Sequence, residues 1–584
     1  MQESIAAPSQ YRVPLPSPSV FDSLDADARA SLEGELAWFS VPGGRELYRA
    51  GDPPSGLFMV LTGCLGIIIS AVTKDEPAAL VRAGEVVGEY ALLLNRPQDA
   101  TCVAIRDTSI AWLSKDGFER LVRKHPESVL PFAAQLIEVL NRALSFRRRS
   151  FTIPKTVGLI PLHRGAPIDR LAAALVAAAV KAGRKAIPLD SAAAKRSPDF
   201  LQIVETEHDL VIYCGDTADS DWTRTCIRQS DHVLLAAVAA ESPRDHVALL
   251  DQIKKLPWRQ AELLLVQEDG TRPAAPAEAW LSHFPVPFHC HVRLRSETDM
   301  ARLARYVTGR GVGIVLSGGG ARGFAHIGVI KALRQMRIPI DLIGGTSMGA
   351  IVAAGVALEW DDKEMYERMH AGFVRTNPLD DFTIPVVALT KGRKVERRLR
   401  RHFADARAED MWRPYFAVAS NLSNGEVTVL RNGLLWRALR ASIAIPGLLP
   451  PVIIDGDVLA DGGVMNNLPC DVMDAMRHGP VIGVDVTRYR TPDMSNTSPR
   501  SFMQRVFGQS DYDGPGIVSL LLRSATVGGT IQTRNSRDHA DLLLDPPLEL
   551  IQIRDWRSFD HAIEQGYRYT MERIGELEQF AVAG

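Results

Sequence analysis

Cysteine is scarce in this sequence: Cys64, Cys102, Cys214, Cys226, Cys290 and Cys470 are the six, and no two form a C-x-x-C pair. That scatter argues against a disulfide framework or a zinc module, and it fits a reducing cytoplasm. Charge of one sign is also missing. The formal net charge is -2, so no global field favours a nucleic-acid partner. Long apolar runs are absent too. The longest, "LFMVLTGCLGIIISAV" from Leu57, falls short of the ~20 residues a membrane helix needs, and its glycines and β-branched residues suit buried strands. The opening "MQESIAAPSQYRVPLPSPSV" has an early acid and no apolar centre, so it does not read as a secretory signal. A G-x-x-x-x-G-K-[ST] loop is lacking, which argues against nucleotide hydrolysis. "HCH" at His289–His291 has no further ligands beside it and reads as a solvent-facing pair on a strand. No metal and no cofactor are expected.

What is present is a chain of 584 residues, enough for roughly three or four domains. Residues 1–19 read as a flexible segment. From 20 to 150, short apolar stretches alternate with glycine turns at Gly43-Gly44, Gly51-Asp52 and Gly63, followed by helical spacing at Phe118, Leu121 and Val122, then Phe132, Leu136 and Leu140. This region resembles a cyclic nucleotide-binding domain, a β-roll followed by helices. The family's phosphate cassette is matched by Gly88, Glu89, Ala91, Leu92, Pro97, Ala100 and Thr101. The resemblance implies a cyclic nucleotide partner, held by Gly88, Glu89, Thr101 and a nearby arginine. Gln98 stands where that arginine should be, and a neutral amide cannot supply a charged bidentate fork; Arg96 lies close by. The expectation is therefore a retained fold serving contacts rather than a nucleotide site.

From 151 to 300 the apolar strands "TVGLIPL", "DLVIYCG", "HVLLAAV" and "ELLLVQ" alternate with helical segments such as "IDRLAAALVAAAVKAG". That alternation predicts a Rossmann-like α/β domain with a parallel sheet. "FRRRS" around Arg147 reads as a solvated helix end. The remaining stretch, 301 to 584, carries the chemistry.

"GVGIVLSGGGARGFAHIGVIKALRQMRIPIDLIGGTSMGAIVAAGVAL" reads as strand, glycine loop, helix, strand, sharp turn, helix. Gly318, Gly320 and Gly323 satisfy a dinucleotide fingerprint, yet the acid such a site requires, Asp341, begins the second strand instead of ending it. The loop better suits an oxyanion. Gly318, Gly319, Gly320, Ala321, Arg322 and Gly323 would present backbone N–H groups just before a helix start, where unpaired donors favour negative charge. Arg322 adds electrostatic support or caps the loop. Ser347 then sits between Gly345 and Gly349, in the G-x-S-x-G setting of a nucleophile elbow.

A serine needs a base. His478, His539 and His561 lie late in the chain, in polar or helical contexts, and His326 follows the glycine loop on a helix where packing is the simpler role. The stretch "LADGGVMNNLPCDVM" offers another candidate. There Asp461 ends an apolar strand, and Gly462 and Gly463 let the backbone bend so that its carboxylate can approach another element. Asp455 and Asp457 are too close in a hairpin to build an oxygen cage for calcium.

Gly318–Gly323, Gly345-Thr346-Ser347-Met348-Gly349 and Asp461-Gly462-Gly463, with "ASIAIPGLLPPV" from Ala441, resemble the motifs of the patatin-like phospholipases. Together with the upstream regions, nearly the whole chain resembles the neuropathy target esterase subgroup. The resemblance implies a multidomain α/β protein, with a patatin-type α/β hydrolase domain built on a mainly parallel sheet over 301–584. It also implies a Ser347–Asp461 dyad without histidine and hydrolysis of acyl esters of phospholipids or lysophospholipids. "SIAIPGLLPPVII" would wall the acyl chains. The alternative is a non-catalytic sensor or scaffold in which the nucleotide-like region does the work. A lipid substrate implies contact with a membrane surface, at the inner face for a cytoplasmic protein. In "TKGRKVERRLRRHF" the basic residues could meet anionic headgroups, or simply solvate a helix whose Val395, Leu399 and Phe403 pack inward. Oligomeric state is left open.

Overall fold

Runs of β-branched and leucine residues bounded by glycine turns become strands that are buried on both faces. The computed structural model describes residues 24–69, 79–126, 154–196, 198–243, 261–267, 276–375, 380–383, 387–476, 478–487 and 532–581, with a few isolated positions between them. Arg147, Phe132, Leu136 and Leu140 lie outside the described residues. The chain divides into two compact units: residues 1–269 with 278–307, and residues 270–277 with 308–584. The helix Glu297–Val307 therefore belongs with the upstream sheet, and the division falls after Val307 rather than at 301.

In the first unit, two four-stranded antiparallel sheets form the β-roll. One runs in the order Leu36–Val41, Thr108–Ser114, Gly56–Thr62, Val86–Val87; the other Glu46–Tyr48, Thr101–Ala104, Cys64–Ile68, Ala79–Arg82. The nucleotide-like cassette lies on this roll. Gly88 takes φ 90° ahead of the short helix Glu89–Leu94, Arg96 is exposed, and the Thr101 hydroxyl accepts from the Ala50 amide at 3.1 Å. Glu89 and Gln98 are both buried, and burial pushes the Glu89 carboxyl up to about 7. The residue inside the roll is thus the neutral Gln98, while the cation Arg96 faces solvent.

The same unit holds a six-stranded, all-parallel sheet in the order Ala186–Leu189, Leu210–Cys214, Thr156–Pro161, His232–Val238, Ala261–Gln267, His289–Arg293. The expected parallel α/β sheet is present, and four of its strands are the four apolar runs read from the sequence. The histidine pair needs a correction. His291 is buried, with Nδ1 2.7 Å from Gln267 Nε2, and Arg302 of the helix Glu297–Val307 donates to its carbonyl. His291 is thus internal, while His289 is half-buried, so the two do not form a solvent-facing pair. All six cysteines are buried and free, and among the described residues no group of three or more potential ligands could hold a metal ion.

The second unit is built on one eight-stranded sheet. Its strands are β1 (Gly313–Leu316), β2 (Leu342–Thr346), β3 (Tyr415–Asn421), β4 (Val427–Leu430), β5 (Val452–Ile454), β6 (Asp457–Asp461), β7 (Val481–Val484) and β8 (Leu542–Leu544). The order is β5-β6-β3-β2-β1-β7-β8, with β4 also paired to β3. The centre from β3 to β8 is parallel, whereas β4, β5 and β6 join antiparallel. Helices α1 (Ala325–Gln335), α2 (Met348–Ala357), α3 (Asp362–Phe373), α4 (Arg393–Phe403), α5 (Leu435–Ser442) and α6 (Phe559–Glu572) pack around it. The α2 helix is buried at every position and apolar all round, as a helix enclosed in a core must be. Val395, Leu399 and Phe403 of α4 are buried, as their spacing predicts. Among the described residues no helix is long and apolar enough to cross a membrane.

Candidate active site

Strands β1 and β2 are parallel neighbours, with Leu316 opposite Gly345. The loops that leave them therefore emerge at the same edge of the sheet. This places the glycine loop next to Ser347: a Cβ added to Gly318 would lie 3.1 Å from Ser347 Cβ.

Ser347 occupies φ 54°, ψ -121° between β2 and α2, a backbone region costly for any residue with a side chain. The turn is tight because α2 starts directly against β1. A Cβ at Gly345 or Gly349 would meet the Leu316 carbonyl oxygen at 2.3 or 2.2 Å. Only glycine fits there. The Ser347 amide donates to Ser442 Oγ at 3.0 Å, and that hydroxyl donates to the Val418 carbonyl at 2.6 Å.

Asp461 closes β6 opposite Ala419 of β3. Its amide donates to the Ala444 carbonyl at 2.9 Å, and its carbonyl accepts the Ser420 hydroxyl at 2.9 Å. The side chain has two donors. Ser347 Oγ reaches Oδ2 at 2.8 Å, and the Gly463 amide, in the turn that begins at Gly462, reaches Oδ1 at 2.8 Å. Ser347 is 8% and Asp461 6% exposed. Burial pushes the Asp461 carboxyl up to about 6, against the opposing pull of the Gly463 amide and the Ser347 hydroxyl. A carboxylate with that pKa is mostly ionised at neutral pH yet far more basic than an exposed aspartate.

No histidine donates to Asp461 among the described residues. His326 is fully buried on α1, its Nε2 lies 2.8 Å from the Ser317 carbonyl oxygen, and burial pulls its pKa down to about 4. It is neutral, so Nε2–H donates and holds the strand end just before the glycine loop. His539 sits against Asp474 and His561 is exposed. His478 is buried, and its carbonyl receives the Gly311 amide.

The glycine loop differs from its sequence reading in one respect. Three of the amides considered there are engaged: Gly318 donates to Asn467 O at 3.2 Å, Ala321 to Ile553 O at 2.8 Å and Arg322 to Gly319 O at 3.2 Å. Gly319 and Gly320 lie ahead of the first internal hydrogen bond of the turn Gly320–Phe324, and Gly320 combines φ 55° with Ile553 O at 2.3 Å from where a Cβ would stand, so glycine is required there. Gly323 lies inside the same turn and packs on Met348. Arg322 directs Nε to the Ile551 carbonyl at 2.6 Å, so it caps the loop.

Two residues that motif reading did not single out are part of this frame. Asn467 clasps Gly318 on both sides, accepting its amide and donating Nδ2 to its carbonyl at 3.2 Å. Ser442 holds the elbow amide. Both lie inside stretches whose types stood out in sequence, "MNNLP" and "ASIAIP", but their bonds span 149 and 95 residues. One turn along α2 from Ser347, Ile351 lines a small cavity of about 30 Å³ together with Ile443, Trp360, Met369 and Leu399, and Arg368, Arg398 and His402 line it too.

Comparison with known proteins identifies three matching regions of the chain. Residues 314–474 match the patatin-like phospholipase family, residues 154–311 the neuropathy target esterase family P-loop like domain, and residues 38–125 the cyclic nucleotide-binding domain. Patatin-like phospholipase domain-containing protein 6 of Pongo abelii is 29% identical over 93% of this chain and 45% of its own length. The human protein of the same name is 28% identical over 93% and 45%. Lysophospholipase nte1 of Aspergillus fumigatus is 27% identical over 94% and 42%. The chain thus spans less than half the length of these relatives. The resemblance drawn from the motifs is borne out, and so is the multidomain α/β architecture.

Proposed function

We propose that this protein is a serine lipid acyl hydrolase that cleaves carboxylic esters of lysophospholipids or phospholipids. The observation that carries the reading is the buried 2.8 Å hydrogen bond from Ser347 Oγ to Asp461 Oδ2, made at a strained turn and by a carboxyl whose pKa burial has raised. Ser347 Oγ attacks the ester carbonyl while its proton passes to Asp461. The oxyanion that forms is received by the Gly319 and Gly320 amides at the head of the loop, a contribution of about 3 kcal/mol per donor. Asp461 then returns the proton to the departing glycerol oxygen as the ester C–O bond breaks, leaving an acyl-serine. A water molecule gives a proton to Asp461 as it attacks the acyl carbon; Asp461 then passes that proton to Ser347 Oγ as the acyl C–Oγ bond breaks, releasing the fatty acid and restoring Ser347 and the carboxylate. The lysophospholipase and phospholipase names of the relatives support the substrate class.

Acyl carbons would enter from the side of Ile351 and Ile443. The cavity they line is small, about 30 Å³, so a long acyl chain would have to displace side chains that line it. The β-roll and the parallel sheet upstream would regulate or position the hydrolase. A neutral Gln98 inside the roll speaks against a cyclic phosphate as the regulator.

A fluorophosphonate probe tests the nucleophile: the wild-type chain is expected to label and Ser347→Ala to stay unlabelled. A lipid panel with products identified by mass spectrometry then assigns headgroup and chain. A wild-type chain that neither labels nor releases fatty acid would return the protein to the sensor or scaffold reading.

A further inference from the structure

The α4 helix has two opposed faces. Val395, Leu399 and Phe403 point into the core, while Arg393, Arg397 and Arg401 recur at spacing four and are exposed. At 100° per residue the two sets centre about 200° apart, so the three arginines form one outward stripe. Lys391 extends it beyond the helix start. The other charges nearby are largely committed. Glu396 pairs with Arg400 at 2.8 Å, Asp380 pairs with Lys394 at 2.7 Å, and Arg398 donates to the Gly372 carbonyl. Among the described residues Lys391, Arg393, Arg397 and Arg401 form no ion pair. Residues 380–401 hold seven basic and three acidic side chains, a surplus of four positive charges in a chain whose net charge is -2.

Directly before this stripe, residues 381–383 pair with residues 389–391. Phe382 bridges Thr390, Thr383 N–H donates to Leu389 O at 3.0 Å, and Lys391 N–H donates to Asp381 O at 2.9 Å. This paired segment carries two of the most exposed large apolar residues described in the unit, Phe382 at 65% and Val387 at 67%. Its base is pinned: Leu389 N–H donates to Gly447 O at 2.9 Å, and Thr390 Oγ1 donates to Leu448 O at 2.7 Å. Gly447 and Leu448 follow closely on Ser442–Ala444, the segment that holds the backbones of both dyad residues. Exposed apolar side chains grouped with unpaired cations mark a surface suited to something apolar and anionic.

We propose that this face, Phe382 and Val387 with Lys391, Arg393, Arg397 and Arg401, docks the protein on an anionic lipid bilayer. The apolar tips enter the interface and the cations meet lipid phosphates. Because Leu389 and Thr390 rest on the strip that continues from the dyad clamp, docking would bring lipid to the hydrolase proposed above. That last step rests on the hydrolase reading; the docking itself does not.

Vesicle sedimentation with the full chain tests it, using phosphatidylcholine vesicles with and without phosphatidylglycerol. Wild type is expected to bind only the anionic vesicles, and less as salt rises. Each basic residue near such a surface is worth about fivefold, so Arg393→Gln/Arg397→Gln/Arg401→Gln should weaken binding about a hundredfold. Phe382→Ser/Val387→Ser should weaken it about tenfold or more at every salt concentration. Turnover of the soluble ester p-nitrophenyl butyrate should stay at the wild-type level in both variants, which separates loss of docking from loss of chemistry. Ser347→Ala should bind vesicles normally, so docking without any ester turnover in the wild type would sink the hydrolase reading alone. Equal binding by wild type and both variants, or no binding to anionic vesicles, overturns the docking proposal. Sensitivity to the arginine variant but not to the Phe382 variant overturns it in favour of an acidic macromolecule.

Discussion

At the scale of single residues, the chemistry turns on one proton acceptor. Asp461 titrates near 6 because it is buried, and its work as a base requires the ionised form. Hydrolysis should therefore rise with pH through an apparent pKa of about 6, not near 4 where an exposed aspartate ionises; a kcat/KM profile on a soluble ester reads this directly. The same shift has a stability consequence. The folded-state pKa lies above the unfolded value, so ionisation disfavours the folded state and the cost is fully present only above pH ~6. Two units correspond to about 3 kcal/mol at most. Asp461→Asn is expected to be inactive yet to melt higher than wild type at pH 8, with the gap closing as pH falls towards 4. An unchanged gap across that range would show that something other than the charge is responsible. Ser442, like Asn467, makes a contact that sequence reading missed. Ser442→Ala leaves the Ser347 amide without its acceptor, and a buried orphaned donor costs about 1–3 kcal/mol. Ser442→Thr retains the hydroxyl and should recover part of both stability and turnover. Ser347 and Asp461 were legible because their neighbours, Gly345, Gly349, Gly462 and Gly463, announce them locally. Ser442 acts across 95 residues, and nothing beside it signals that contact.

At the scale of elements, residue types gave the strands, the glycine loop and the inward face of α4, because periodicity and turn chemistry are local properties. They did not say which amides of the loop remain available, since the acceptors that occupy Gly318 and Ala321 belong to Asn467 and Ile553. Nor did they place His291 inside, where its ring meets Gln267 of the neighbouring strand. The elbow itself depends on the fit between α2 and β1. Gly349→Ala puts a methyl carbon 2.2 Å from the Leu316 carbonyl oxygen, and neither backbone can give way cheaply. That variant should lose several kcal/mol of stability, or fold with the elbow displaced and no fluorophosphonate labelling. Ala350→Gly, one residue on in the same helix, removes a buried methyl without any clash and should cost about 1–2 kcal/mol through helix propensity and lost packing, with the elbow in place and labelling kept. If urea midpoints show the two variants equally stable and both label normally, close approach is not what requires glycine at 349.

At the scale of the whole molecule, the upstream half is the surprise. Reading along the chain gives a roll and then a separate parallel sheet, whereas the two fold as one unit. A buried ion cluster explains much of that union. Arg106, on the roll and 3% exposed, donates Nη1 to Glu205 at 2.8 Å and Nε to Asp231 at 2.8 Å, both on the sheet side. The acids are separated from it by 99 and 125 residues, and "CVAIRDTSIAW" gives no sign that its arginine is internal. The neighbouring guanidinium and two backbone amides hold Asp231 below the ordinary aspartate range against the opposing effect of burial. Removing one member of such a cluster is worse than removing all of it, because the remaining charges stay buried without compensation. Arg106→Met should cost about 3–5 kcal/mol and split thermal unfolding of the unit into two transitions. Its loss should grow as pH rises, since the stranded acids then ionise, and shrink at low pH where they are neutral. Arg106→Met combined with Glu205→Gln and Asp231→Asn should recover much of that loss. Calorimetry on the three chains decides: if the triple variant is no better than the single one, the cluster is not what joins the roll to the sheet, and the apolar contacts between them must carry the junction.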